Sequence, residues 1–131
     1  QDPYGEAGVV AIFAGKMLTG ARPVINGSGE QERDFVYVGD IARANVLALT
    51  RGGGELFNLG SGVATSINSI FNQLKEITGC DCEEVHGRPN RGEVFRIYLD
   101  ASKAKARLGW EVEVSLREGL ERTVAHFRRG I

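Results

Sequence analysis

The residue best placed to do chemistry is Arg33, which opens the stretch Arg33-Asp34-Phe35-Val36-Tyr37-Val38-Gly39-Asp40-Ile41-Ala42. Phe35 alternates with polar-capable neighbours, so Arg33–Val38 reads as a short buried strand, and Asp40 stands where a helix N-cap belongs. A guanidinium at a rigid strand end suits a phosphate or carboxylate, because its planar fork makes two parallel charge-assisted bonds. The structural alternative is a surface ion pair with neighbouring Asp34, which contributes little. Twelve arginines against four lysines fit anion recognition by fixed donors, although a GC-rich genome or a thermophile gives the same bias. Cys80 and Cys82 flank Asp81 without a second cysteine pair, and neither His86 nor His126 completes a zinc pattern. Two structural thiols and no metal are the expectation.

These residues need elements to hold them. Gly8–Thr19 carries Val9, Ile12, Phe13, Lys16 and Met17 at helical spacing, with Gly20 placed to end the helix. Pro23–Asn26 reads as a short strand, and Gly27-Ser28-Gly29-Glu30 as a turn leading to a hairpin with Arg33–Val38. Asp40 is expected to cap a second helix to about Thr50, which the glycines at 52 to 54 break. Glu55–Leu59 reads as a strand running into Gly60-Ser61-Gly62. Ser66 then opens a third helix, striped by Ile67, Ile70, Phe71, Leu74 and Ile77 and closed by Gly79. A short strand within Glu83–Asn90 and an extended Val94–Leu99 follow. Asp100 caps a short helix to Leu108, and Ser115-Leu116-Arg117-Glu118 is a capping box for the last one. The pattern is mixed α/β, with strands too few and short for a complete doubly wound sheet.

At 131 residues the chain fits one domain, and its 42% hydrophobic and 25% charged content is ordinary for a soluble fold. A net charge of −1 gives no electrostatic case for nucleic acid or an anionic membrane. No apolar run approaches the roughly 18 residues of a membrane span, and the first residues lack a signal-peptide pattern. A cytoplasmic protein is the default expectation.

Several segments share a family resemblance, in order along the chain. Asp2–Val10 resembles the stretch after an NVYGPR motif, and Gly27-Ser28-Gly29-Glu30-Gln31 resembles a GDGxQ turn. Arg33–Ala42 looks like RDFVYVxDIA, and Phe57–Gly62 like YNLGSG. Gly92-Glu93-Val94, Tyr98–Ala104 and Leu108-Gly109-Trp110 resemble the GDV, D-x-SKA and LGW elements. Together they mark the NAD-dependent epimerase/dehydratase family of extended short-chain dehydrogenase/reductases, typified by UDP-glucose 4-epimerase. The resemblance implies a small mixed α/β substrate-binding domain over residues 1–131, the C-terminal part of a Rossmann-type enzyme. The NAD-binding Rossmann half is expected to be absent from this chain. Gly52-Gly53-Gly54 follows a helix, the reverse of the family's GxxGxxG context, and Tyr4, Tyr37 and Tyr98 lack a lysine four residues on. The chain begins at Gln1 without methionine, and the expectation is a fragment with no catalytic residue of its own.

Residue by residue, the resemblance makes Arg33 the arginine that binds the nucleotide diphosphate. Gly8 and Val9 match positions near the uridine end, where a helix start offers free N–H donors; a plain helix start is the alternative. Asn26 falls near the uracil-facing position, or is simply a turn asparagine. The second diphosphate arginine departs from the pattern: three residues before Glu93 stands Asn90, with Arg88 and Arg91 on either side. Arg91 is preferred, and Glu93 stands where a ribose-binding acid is expected. Asn58, Gly60 and Gly62 read as structural, and Trp110 as core or interface. The implied reaction is epimerisation of a UDP-hexose: NAD oxidises C4, the 4-keto sugar rotates, and the hydride returns to the other face. A 4,6-dehydratase or UDP-glucuronate decarboxylase fragment is the alternative, as is a non-catalytic nucleotide-sugar-binding module. Partners implied are the Rossmann half and a second copy, as a homodimer or by self-association.

Overall fold

The computed structural model describes residues 8–130. Tyr4 and the Asp2–Ala7 part of the first family-like segment lie outside the described residues. The elements run α1 (Val9–Leu18), β1 (Ile25–Asn26), β2 (Glu32–Arg33), α2 (Val38–Ala48), β3 (Thr65–Ser66), α3 (Ile67–Thr78), β4 (His86–Gly87), α4 (Ser102–Leu108) and α5 (Leu116–Gly130). The chain forms two compact units. One takes the residues through Gln31, Ser66–Phe95 and those from Leu120 onward; the other takes Glu32–Thr65 and Arg96–Gly119.

In the first unit, α3 follows from local chemistry. Ser66 Oγ accepts from Ser69 N at 3.1 Å, and Gly79 closes the helix at φ 72°, a left-handed position that suits glycine. Between these ends Ile67, Ile70, Phe71 and Leu74 are buried at i, i+3, i+4 and i+7. They meet Ala11, Phe13, Ala14 and Met17 of α1, with the Phe13 and Phe71 rings edge-on at 5.7 Å. The segment Gly27-Ser28-Gly29 is fastened to α3, because Asn68 donates from Nδ2 to Ser28 O and from its main chain to Gly29 O. Only glycine fits at 29: its φ is 72°, and a Cβ there would stand 1.8 Å from Asn68 Oδ1.

The expected hairpin does not form. β1 pairs in parallel with β4, with Ile25 opposite His86 and Asn26 opposite Gly87. Within the Gly27–Gln31 turn, the Gln31 side chain donates to Asn26 O at 2.9 Å, taking a bond that a hairpin ladder would have used.

In the second unit, β2 covers only Glu32–Arg33; residues 34–37 are not strand, and an isolated parallel bridge joins Glu32 to Arg96. The helix predicted from Asp40 starts two residues earlier, at Val38, with Tyr37 at its N-cap. Asp40 is not a cap. It is 2% exposed, and its carboxylate accepts from Glu113 N at 3.2 Å, Val114 N at 3.1 Å and Arg43 Nη2 at 3.0 Å. Its main-chain oxygen accepts from Trp110 Nε1 at 2.7 Å. A tertiary demand for an acceptor has overridden the local capping signal. Ala44, Ala104, Leu108 and Trp110 form this unit's core, edged by Val36, Leu47, Phe57 and Leu59. Residues 55–59 are not in a strand, and Leu56 is 90% exposed. Val38, Val46 and Leu49 of the same unit are exposed as well.

Asp100 is not the cap expected of it: the N-cap of α4 is Ala101, and Asp100, one residue further out, accepts from Ser102 N at 2.9 Å, whereas Ser115 Oγ accepts from Glu118 N at 3.2 Å to open α5 as expected. Cys80 and Cys82 are both free thiols.

Candidate functional site

In the second unit Arg33 ends β2 and is half-buried, and its Nη1 donates to Glu32 O at 2.8 Å. The residue after it is a dense polar node. Asp34 Oδ1 accepts from Ser61 N at 2.9 Å and Ser61 Oγ at 2.6 Å, and Oδ2 accepts from Gly62 N at 3.0 Å and Leu99 N at 3.1 Å. Partial burial pushes the Asp34 pKa up. The Ser61 hydroxyl, followed by the three amides, outweighs it and holds the carboxyl below its ordinary 3.8. Gly60 lets this node close: a Cβ there would lie 2.6 Å from Leu99 Cβ and 2.7 Å from Asp34 Oδ2. A cavity of about 350 Å³ adjoins the node, but its lining cation, Lys105, already pairs with Glu111 at 3.0 Å.

In the first unit, β1–β4 pairing sets Asn26 beside the loop that carries Arg91 and Glu93. Gly27 N donates to Gly87 O at 3.1 Å, and a Cβ on Gly27 would touch Pro89 Cβ at 3.1 Å. The Asn26 side chain, Arg88, Arg91 and Glu93 are exposed, and Gly92 turns the loop at φ 72°. His86 braces the same corner, its Nδ1 2.6 Å from Gly27 O and its Nε2 2.7 Å from Glu84 Oε1. Both neighbours are acceptors, so the protonated ring satisfies both; Glu84 first and then the Gly27 carbonyl raise its pKa above the ordinary 6.5. Gly8 and Val9 lie at the start of α1, where Gly8 adopts extended backbone and its carbonyl accepts from Ile12 N.

The sequence reading singled out Arg33, Asn26, Gly8, Val9, Arg91 and Glu93 but gave Asp34 no role beyond an ion-pair partner. The signal for it was faint: an acid next to the arginine, and a Ser-Gly turn 27 residues on. Two absences also bear on chemistry. Among the described residues no group of three or more His, Cys, Asp or Glu side chains could hold a metal ion. Burial, followed by the hydrogen bond to Cys80, pushes the Cys82 thiol up to about 11, so it is a poor nucleophile at neutral pH.

Among the described residues, the Gly52-Gly53-Gly54 turn does not suit the pyrophosphate of NAD. Gly52 sits at φ 64° in a turn after α2, where a Cβ would strike the Phe57 ring at 2.6 Å. That turn opens no helix, so it offers no helix N-terminus to cradle a pyrophosphate.

Known proteins carry the same fold. The structure of UDP-glucose 4-epimerase from Thermotoga maritima with UDP-glucose superposes at a TM-score of 0.97 and 55% identity, covering 99% of this chain and 42% of that one. The Thermus thermophilus UDP-glucose 4-epimerase, in complex with NAD, gives 0.88 and 37% identity over 100% of this chain and 43% of that one. The UDP-glucose 4-epimerase of Mycolicibacterium smegmatis is 42% identical over 129 residues, covering 98% of this chain and 41% of that protein. The fold is thus a small mixed α/β part of an extended short-chain dehydrogenase/reductase. A family model described as GDP-mannose 4,6 dehydratase matches residues 5–123. The chain belongs to this NAD-dependent epimerase/dehydratase family, and spans about two fifths of the length of the relatives it matches.

Proposed function

We propose that this chain is the substrate-binding domain of an NAD-dependent nucleotide-sugar 4-epimerase, with UDP-glucose as its simplest substrate. The observation that carries the reading is the 55% identity, over 99% of the chain, to an enzyme whose structure holds UDP-glucose. Arg33 grips the diphosphate, with Arg91 as its second cation. Asn26 faces the base, Glu93 the ribose, and the Gly8–Val9 helix start the uridine end. A firm grip on the nucleotide lets a 4-keto hexose turn over without leaving. That is the chain's own share of the chemistry; the nicotinamide and the tyrosine–lysine pair come with an NAD-binding Rossmann half. The intact protein is a cytoplasmic enzyme that associates with a second copy.

Isothermal titration of the chain with UDP and with uridine tests this. A charge-assisted phosphate contact is worth about 1.5–3 kcal/mol, so Arg33→Ala is expected to weaken UDP by roughly 10- to 150-fold and leave uridine unchanged. No UDP binding by the native chain, or equal UDP affinity in the variant, would overturn the assignment.

A second reading is favoured by the matched family model, whose description is a dehydratase. Product analysis with the complete enzyme separates the two, since a 4,6-dehydratase yields a 4-keto-6-deoxy sugar and an epimerase only the C4 epimer.

A further inference from the structure

We infer that Asp34 is a positioning residue for nucleotide binding: its carboxylate staples the Ser61–Gly62 turn and the Leu99 main chain beside Arg33 and so fixes where that guanidinium points. The inference rests on the reading that Arg33 takes the diphosphate.

The geometry has three parts. First, an ionised carboxylate offers about four lone-pair directions, and four donors fill them here. Three of those donors are main-chain amides, so the carboxylate is spent on backbone and not on a mobile charged side chain. Second, the donors come from segments 27, 28 and 65 residues away, so one side chain draws the Ser61–Gly62 turn and the Leu99 segment onto the strand end. Third, Arg33 is anchored on its other side as well. Glu32 O accepts from Ile97 N at 3.0 Å and from Arg33 Nη1 at 2.8 Å, and the Glu32 carboxylate pairs with Arg96. Arg33 therefore projects from a backbone held at both neighbours. A long cationic side chain on a loose backbone must be ordered when the ligand arrives, which weakens binding; one anchored beforehand avoids that cost.

This separates Asp34 from a plain stability residue. If it acts through Arg33, its loss must be felt only while Arg33 is there to be aimed. The test is a double-mutant cycle on the full chain, read by UDP titration. Asp34→Asn is expected to weaken UDP about tenfold, because the amide cannot accept from all four donors. In an Arg33→Ala background the same substitution is expected to change UDP affinity less than about twofold. Additive losses in the cycle would overturn the inference. Ser61→Ala removes only the hydroxyl donor and leaves the amides, so it serves the same comparison if Asp34→Asn does not fold.

A second arm needs no nucleotide. In ¹⁵N NMR between pH 6 and 2.5, the Ser61, Gly62 and Leu99 amides and the Arg33 Nε–H are expected to shift with one shared midpoint below 3.8. In Asp34→Asn that titration is absent, and the Arg33 Nε–H heteronuclear NOE falls. An unchanged Arg33 NOE refutes the aiming role. If the native chain binds no UDP, the nucleotide reading fails by itself, and this arm still decides whether Asp34 orders Arg33.

Discussion

Replacing Asp40 by alanine gives the sharpest test of how the second unit is held. The side chain is 2% exposed and accepts bonds from Glu113 N, Val114 N and Arg43 Nη2. A hydrogen bond to a charged group contributes about 1.5–3 kcal/mol, so the two amides alone suggest roughly 3–6 kcal/mol. The lower end applies, because Glu113 is exposed and its freed N–H can recruit water, while Arg43 keeps Glu111 O and Glu113 as partners. Trp110 stays tied as well, since it bonds the main-chain oxygen of Asp40. We therefore expect a loss of about 3 kcal/mol at pH 7, a large share of the 5–15 kcal/mol typical of a domain. In urea the midpoint should fall by roughly 1.5–2 M for a slope near the middle of the usual range. The pH dependence supplies the control. Burial raises the Asp40 pKa, but the Val114 amide, Arg43 and the Glu113 amide outweigh it and hold it below 3.8. A depressed carboxyl contributes stability that is present above its unfolded pKa and lost as pH falls through the folded value. The gap between the native chain and Asp40→Asn should therefore be full well above the ordinary carboxyl pKa of 3.8 and shrink as pH falls below it. A loss under about 1 kcal/mol for the alanine variant, or a gap that ignores pH, would refute the account of Asp40 as a tertiary tie.

Gly60→Ala tests the Asp34 node sterically: its Cβ must displace Leu99 or the carboxylate, so a loss of about 1–3 kcal/mol is expected in thermal melts. If the melting point is unchanged, the node is looser than the distances imply. Val38, Val46, Leu49 and Leu56 lie exposed in one unit, so the isolated chain should bind an apolar dye or self-associate. Leu49→Lys with Leu56→Lys should abolish that without destabilising the chain, since these side chains are 83% and 90% exposed. Dye binding equal to that of the native chain would show that these residues are not the sticky surface.

What the sequence made legible was local. The α3 boundaries and stripe could be read because cap, apolar spacing and terminal glycine all lie within fourteen residues. The same logic failed at Asp40, whose partners are 73 and 74 residues away; nothing near it in the chain betrays two amides in need of an acceptor. It failed again at β1, where a Gly-Ser-Gly turn suggested a hairpin but the strand's partner is His86–Gly87. Glu55–Leu59 has the composition of a strand and is extended in no described sheet, because composition does not supply a partner. In the candidate site, Arg33 was visible through its motif, whereas Asp34 matters through bonds to Ser61, Gly62 and Leu99 that only the fold reveals.

The interleaving of the two units carries its own consequence. The polypeptide leaves one for the other after Gln31, Thr65, Phe95 and Gly119, so no single cut releases either intact. Each must close loops tens of residues long before its interior can form, which slows folding and couples the two in time. The residues through Gln31 and those from Leu120 onward all belong to the first unit, so trimming from either side breaks into that unit before it reaches any residue of the second.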